Sequence, residues 1–290
     1  MSIDLHIHST ASDGTLTPAQ IVARACQLEL AAIAITDHDT VAGVHQVRHA
    51  IPARIHFLTG VELSTAPPSG FPCLGSLHLL GYGFRTDDPD LARELHRLQA
   101  ARRDRNPYII ERLQALGIDI SVEELNTSDG DRQTGRPHIA RLLVEKGYAA
   151  SFDEAFERFI GNGRPAYVDK YRIPIAQAIP LIRRAGGIPV LAHPGLIVPR
   201  RPWRLEDLIV ELKAYGLEGL ETYYPEHTDD QTRQLLQLVR RHDLLPTGGT
   251  DFHGAIKPGI AMGSAGGGFG VPFHIYEQLA ARLRARAALA

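Results

Sequence analysis

His6 and His8 stand two residues apart in Asp4-Leu5-His6-Ile7-His8. Side chains of a strand alternate between its faces, so positions two apart project to the same side, and two imidazoles there can bind one cation. The theme recurs in Thr36-Asp37-His38-Asp39, Val61-Glu62, Leu77-His78-Leu79, Ala192-His193-Pro194 and Asp251-Phe252-His253, each at or inside an apolar run that reads as a strand. A lone HxH is a weak sign. Histidines and carboxylates carried to one rim by the ends of successive strands are a different matter, because together they supply what a polynuclear metal hydrolase needs.

The elements that must position these residues alternate between strand-like runs and helical patterns, as in a parallel α/β fold with its sites at the strand C-termini. Strands are expected near Ile3–His8, Ala31–Thr36, Ile55–Val61, Leu77–Gly81, Ile188–Ala192, Gly219–Glu221 and Leu245–Gly248. Seven strands predict an α/β fold of the distorted, incomplete (β/α)7 barrel kind. The first helix starts at Thr17-Pro18-Ala19-Gln20, where Thr17 can cap, proline suits the first turn and Gln20 completes a capping box; Ile21, Ala25 and Leu28 form its apolar stripe. After Gly83 the alternation breaks. Helices without strong strands are expected at Pro89–Leu116, Val122–Asn126, Pro137–Lys146 and Phe152–Ile160, after which a helix from Pro174 to Ala185 and the stop Gly186-Gly187 resume the pattern. The division predicted is therefore a first barrel part over 1–86, an inserted helical cap over 87–172 and a second barrel part over 173–290. Gly266-Gly267-Gly268 reads as a short glycine loop.

With 290 residues, 44% hydrophobic and 22% charged, the chain can bury an ordinary core, and no apolar run is long enough to span a bilayer. A formal net charge of -2 argues against coating long duplex DNA, although a local basic cluster could still hold phosphates. The first strand begins within a few residues of Met1 and the two cysteines, Cys26 and Cys73, form no framework, so a reduced, cytoplasmic setting away from membranes is expected.

On these motifs the chain resembles the PHP family, named for polymerase and histidinol phosphatase domains. The likeness spans about Met1–Phe84 and Ile173–Gly263: HxH as His6/His8, TDH as Asp37/His38, the acid after the third strand as Glu62, HP as His193 and DxH as Asp251/His253. It implies one metal held by His6, His8, Glu62 and Asp251, a second sharing Glu62 and adding His78 and His193, and a third on Asp13, His38 and His253. Many members carry histidine where this chain has Asp13, but a carboxylate serves the same metals. Three divalent cations amid histidine and carboxylate suit Mn, Fe or Zn better than Ca or Mg, and the resemblance favours Mn. A hydroxide bridging two of them would be the nucleophile. Asp37 either orients its neighbour or relays a proton as a catalytic acid, or is a structural strand-end acid.

Substrate choice is expected from the insert. Arg102, Arg103, Arg105 and Asn106 lie in Ala101-Arg102-Arg103-Asp104-Arg105-Asn106-Pro107, where Asn106-Pro107 ends or kinks the helix. Gln133-Thr134-Gly135-Arg136-Pro137-His138 reads as a second helix start, at Thr134 and Gly135, offering backbone N–H groups to an anion whose side-chain partners would be Arg136 and His138, and Lys170 follows near the return to the barrel. The cap would hold one phosphate while the metals cleave another. With this insert the chain looks like the bacterial subgroup that acts on nucleoside 3′,5′-bisphosphates and short 5′-phosphorylated RNA. That implies release of the 3′-phosphate to leave a nucleoside 5′-monophosphate, or 5′-to-3′ exoribonuclease action on a short single-stranded RNA end. Histidinol-phosphate phosphatase and a non-catalytic nucleotide-binding domain are the other readings. His45 and His49 read as a helix surface, and His227 as lining the pocket with Tyr223 or Tyr224.

Overall fold

The computed structural model describes residues 2–71, 73–74, 77–127, 134–265 and 269–288. The glycine loop 266–268 and Gln133 lie outside the described residues. The chain divides into two compact units, one of residues 1–95 and 172–290, the other of residues 96–171.

In the first unit the seven expected strands are present: β1 Ser2–Ile7, β2 Ala32–Ile35, β3 His56–Ala66, β4 Leu77–Tyr82, β5 Ile188–Leu191, β6 Gly219–Tyr223 and β7 Leu245–Gly248. They lie side by side in the order β7-β6-β5-β4-β3-β2-β1, and among the described residues two further short strands, Ile173–Pro174 on β3 and Val271–Pro272 on β1, join the same sheet. His8 N donates to Phe252 O at 2.9 Å and Phe252 N to His6 O at 3.3 Å, tying β1 to the segment after β7. The sheet thus curls into a nearly closed barrel. One departure from the parallel expectation matters for function. Strand β4 runs antiparallel to both neighbours, with Glu62 opposite Leu80 and Leu79 opposite Leu191, because no crossover helix separates β3 from β4. Its first residues therefore reach the rim that the other strands reach with their last.

Helix α1, Pro18–Gln27, carries the expected capping box between Thr17 and Gln20. Ile21, Val22 and Ala25 are its buried residues, whereas Leu28 is the C-cap and 38% exposed, since its position falls past the last helical turn. Ile3, Leu5, Leu58, Leu80, Tyr82, Ile188 and Leu245 pack with Ile275 and Leu279 of the last helix, Phe273–Ala287. A second cluster joins Ile7, Ile33 and Ile35 to α1.

The second unit is helical. Its long helix, Pro89–Ala115, begins in the first unit and continues through Pro107 rather than ending there. The lost N–H of Pro107 is outweighed by burial of Ile109, Ile110 and Leu113 beyond it, against Ile139, Leu142 and Leu143 of the helix Arg136–Glu145. The segment expected as one helix at Phe152–Ile160 is α-helical over Phe152–Ala155 and then widens into a π turn, Phe156–Ile160.

Candidate metal centre

The rim collects the expected ligands from different elements. His6 lies in β1 and His8 just past it, Asp13 on the following loop, and His38 beyond the end of β2. Glu62 sits in the middle of β3, which is longer than its apolar run predicts, and His78 is the second residue of β4. His193 follows β5, and Asp251 and His253 follow β7. Two of these are held in the left-handed region, His193 at φ 30° and Asp251 at φ 53°, a conformation kept only where the surroundings fix it. Gly249 is obligatory for the same approach: a Cβ there would come within 2.3 Å of His6 N.

Ligand atoms fall within 4.8 Å of one another in three groups: His6, His8, Glu62 and Asp251; His8, Asp13, His38 and His253; and His38, Glu62 and His78. In the first, His6 Nε2 and His8 Nε2 are 3.2 Å apart, Asp251 Oδ1 is 3.3 and 3.1 Å from them, and Glu62 Oε2 is 3.4 and 3.2 Å from them. A tetrahedron with such edges has its centre about 2 Å from each corner, the length of a zinc–imidazole or zinc–carboxylate bond. Glu62 faces two ways. Its Oε2 meets His6, His8 and His38, while Oε1 lies 2.9 Å from His78 Nδ1 and 3.0 Å from His193 Nε2. On the far side, Asp13 lies 3.4 Å from His253 Nε2 and 3.8 Å from His38 Nε2. Glu62 Oε2, Asp251 Oδ1 and His38 Nδ1 are buried without a hydrogen-bond partner, an arrangement costly for protein alone and suited to cations.

Burial raises the Glu62 carboxyl, but the surrounding imidazoles outweigh it and hold Glu62 well below the usual range; Asp13 is depressed in the same way, and Asp251 is held down against its burial by Lys257 first and then by His253, His6 and His8. Burial pulls His8 down, yet the Asp251 and Glu62 carboxylates facing it lift it to about 9. Burial wins at His38, which falls to about 4 despite Glu62 and Asp13. The protons that balance these carboxylates in neutral solution therefore sit on His6 and His8, where a cation would take their place. Side-chain exposure is 19% at His78 and 13% at His38 against 0% at His6 and His8, so the centre opens on the His38–His78 side.

The insert gathers only part of the expected substrate set. Arg102, Arg105, Asn106 and His138 are buried, and Asn106 Nδ2 donates to Thr134 Oγ1 at 3.0 Å. The Arg102 guanidinium lies over Gly135, where a Cβ would be 3.5 Å from its Nη1. The helix start differs from expectation. Gly135 N donates to His138 Nδ1, His138 N and Ile139 N both turn back to Gly135 O, and Pro137 has no N–H, so most backbone donors of that turn are already used. The same bond leaves His138 Nε2 as the donor in the neutral ring. Arg136 bonds Ile160 O and lies by the rings of Phe156 and Tyr167. Arg103 is 76% exposed beside Asp104, and Lys170 is half-buried with its N–H on Asp169.

Comparison with known proteins decides the family. The sequence model of the PHP domain matches residues 4–154. A 5′-3′ exoribonuclease of Haemophilus influenzae is 35% identical, covering 86% of this chain and 89% of that protein. The chain belongs to the PHP family. A 3′,5′-nucleoside bisphosphate phosphatase of Chromobacterium violaceum is 32% identical over 90% of each chain. The crystal structure of a protein from Bifidobacterium adolescentis assigned as a metal-dependent phosphoesterase superposes with a TM-score of 0.83 at 30% identity, covering 96% of this chain and 95% of that one. This PHP protein is thus a metal-dependent hydrolase of phosphate esters, with a His, Asp and Glu cluster that could bind the metals. No helix among the described residues is long and apolar enough to cross a membrane.

Around the candidate ligands stand further residues, of which sequence reasoning singled out Asp37, Tyr224 and His227 but passed over Glu221 and Lys257. Glu221, inside β6, takes His6 Nδ1 at 2.8 Å and His193 N at 2.7 Å, orienting two ligands at once. Asp251 Oδ2 is bound by Lys257 Nζ at 2.6 Å and Tyr224 Oη at 3.0 Å, which leaves Oδ1 turned to the histidines. Asp4 holds Thr250 N and Oγ1, and Asp39 holds Ser64 N and Oγ. Asp37 takes Ser9 N, Ser9 Oγ and Ser12 Oγ at 2.6–2.7 Å, an anchor for the loop that leads to Asp13. His227 is spoken for by Thr222 O and Gly195 N. An acid buried mid-strand, as at Glu221, was the one available signal.

Proposed function

We propose that this protein removes the phosphate on the 3′ oxygen of a nucleoside that also carries a 5′-phosphate, releasing a nucleoside 5′-monophosphate. The observation that carries the reading is the two-sided Glu62 carboxylate amid three ligand groups, supported by the name of the Chromobacterium relative. Three divalent ions, manganese before zinc or iron, would be held by His6, His8, Glu62 and Asp251, by Glu62, His78 and His193, and by Asp13, His38 and His253. When bound, such ions supply Lewis acidity to phosphoryl oxygens and make water acidic enough to attack near neutral pH. In the net reaction a water oxygen joins phosphorus, the bond from phosphorus to the 3′ oxygen breaks, and a proton ends on that oxygen. Glu221 keeps His6 and His193 in the orientation this needs, and Lys257 and Tyr224 keep Asp251 turned by one oxygen. Arg102, Arg105, Asn106 and His138 are assigned to the second phosphate, as buried donors suited to an anion. Arg136 and Lys170 have a lesser part.

The same chemistry cuts the first phosphodiester of a 5′-phosphorylated RNA, and the name of the Haemophilus relative favours this second reading. The deciding experiment follows turnover by Mn-reconstituted protein on adenosine 3′,5′-bisphosphate, 5′-phosphorylated short RNA, adenosine 5′-monophosphate and histidinol phosphate. Turnover of the first with none of the third is expected. A preference for histidinol phosphate would overturn the proposal.

A further inference from the structure

Ten residues after His193, the chain's only tryptophan, Trp203, is 41% exposed. An indole left this open on a surface is costly, and it is not loose: its ring packs on buried Phe71 at 5.2 Å and 57°. Val198 and Leu196 nearby in the segment are also exposed. Two cations accompany them. Arg200 and Arg201 are exposed with no carboxylate at ion-pair distance among the described residues, whereas Arg204 is taken by Asp207 at 3.4 Å and Arg241 by Glu206 at 2.8 Å. An exposed aromatic face beside unneutralised guanidiniums is what a nucleic-acid strand with unstacked bases requires.

The position of this patch ties it to the metal centre. Val198 and Pro199 pair antiparallel with Leu74 and Cys73, in the connection between β3 and β4. One side of the ladder is thus five residues from His193 and the other four residues from His78. At no more than about 3.6 Å per residue, both links confine the ladder to within roughly 20 Å of the ligands, and Arg200, Arg201 and Trp203 follow Pro199 by one, two and four residues. His78 is also the most exposed of those ligands, so the centre is open toward the strand that this connection feeds.

We propose that Trp203, with Arg200 and Arg201, forms a track for the nucleotides that follow the scissile phosphate when the substrate is a single-stranded 5′-phosphorylated RNA. The proposal rests on the nucleotide phosphoesterase reading above and deepens it. Bases downstream of the cut stack on the indole, and the guanidiniums take their phosphates; a mononucleotide is too short to touch either.

The sole tryptophan reports its own occupancy. Indole fluorescence of the metal-free full-length protein, which cannot turn the strand over, is expected to be quenched by a 5′-phosphorylated oligoribonucleotide and unchanged by adenosine 3′,5′-bisphosphate. In Mn-loaded protein, Trp203→Ala and the pair Arg200→Ala with Arg201→Ala should each lower kcat/KM on that RNA by about tenfold or more and move the bisphosphate rate by less than about twofold. Trp203→Phe, which keeps a stacking face, should restore most of the RNA activity. Equal losses on both substrates, or none on RNA, would overturn the track. Wild-type protein that hydrolyses the bisphosphate but leaves RNA intact would sink the track and spare the proposed function; inactivity on both would sink the function itself.

Discussion

The barrel unit buries acids, Asp13, Glu62 and Asp251 among six histidines, while the insert buries bases, Arg102 and Arg105 beside Asn106 and His138. The means of placement differ as much as the sign. In the barrel the candidate ligands are short-stemmed, and several are fixed by strand register, as at His6, Glu62 and His78, or by a left-handed backbone position, as at His193 and Asp251. Metal coordination tolerates errors of only about 0.2 Å, and short stems on paired strands meet that demand. The insert uses long stems reaching from helices. A phosphate asks for charge and several donors rather than one bond length, and guanidinium forks supply both.

Glu62→Gln separates the two units most sharply. An amide cannot serve cations on both of its faces, so reconstituted protein should lose bound metal by elemental analysis and phosphoesterase kcat/KM should fall about a thousandfold or more. Arg105→Ala should keep its full metal content while KM for a substrate with two phosphates rises about tenfold. Metal loss in both variants would erase the division. Glu221→Gln is the intermediate case. It touches no metal in this scheme but, with one acceptor oxygen instead of two, can hold only one of His6 Nδ1 and His193 N, and chelator competition should report affinity lower by about 10–100-fold.

The two units also differ in how far the sequence reveals them. Most of the proposed ligands in the barrel stand out as histidine or carboxylate at or near the end of an apolar run, because strand periodicity and a common rim turn spacing into position, whereas Asp13 lies on a loop and Glu62 in mid-strand. What spacing misses there is direction and support. The antiparallel course of β4 depends on a missing crossover helix, and Glu221 looks like any acid until its partners are known. In the insert the arginine-rich run is visible, but which arginine turns inward is set by packing around Ile109, Ile110 and Leu113, which also carries the helix past Pro107. The Gly135 N–H reads as available from sequence and is consumed by a side chain three residues on.

Protons give a smaller, graded contrast. Metal-free His8 holds its proton up to about 9, whereas an unfolded histidine loses it near 6.5. The raised value means that stability from this proton is complete below about pH 6.5 and fades toward pH 9. Asp13, Glu62 and Asp251 run the other way: their depressed values stabilise the fold above about pH 4, and that contribution is lost as the pH drops. A cation must displace the His8 proton, so metal affinity should climb as the pH rises from about 7 to 9, by up to about tenfold per unit, with proton release measurable by calorimetry in two buffers. Affinity for metal that is flat with pH would show His8 already neutral and remove it as a proton store.

Arg103→Ala should do least. Its guanidinium is 76% exposed and 3.5 Å from an equally open Asp104, a pair worth little in water. KM should stay within about twofold and stability within about 0.5 kcal/mol, although the residue sits between Arg102 and Arg105 in sequence. This variant tests what the insert contributes. If the buried pair holds a phosphate by directed hydrogen bonds, removing the outward charge leaves KM almost unchanged at any ionic strength. If Arg103→Ala instead raises KM as much as Arg105→Ala, and salt abolishes the difference, the insert acts through a diffuse positive field screened over about 10 Å. The contrast with the fixed geometry of the barrel would then be one of long-range attraction against bonding, rather than of two bonded sites.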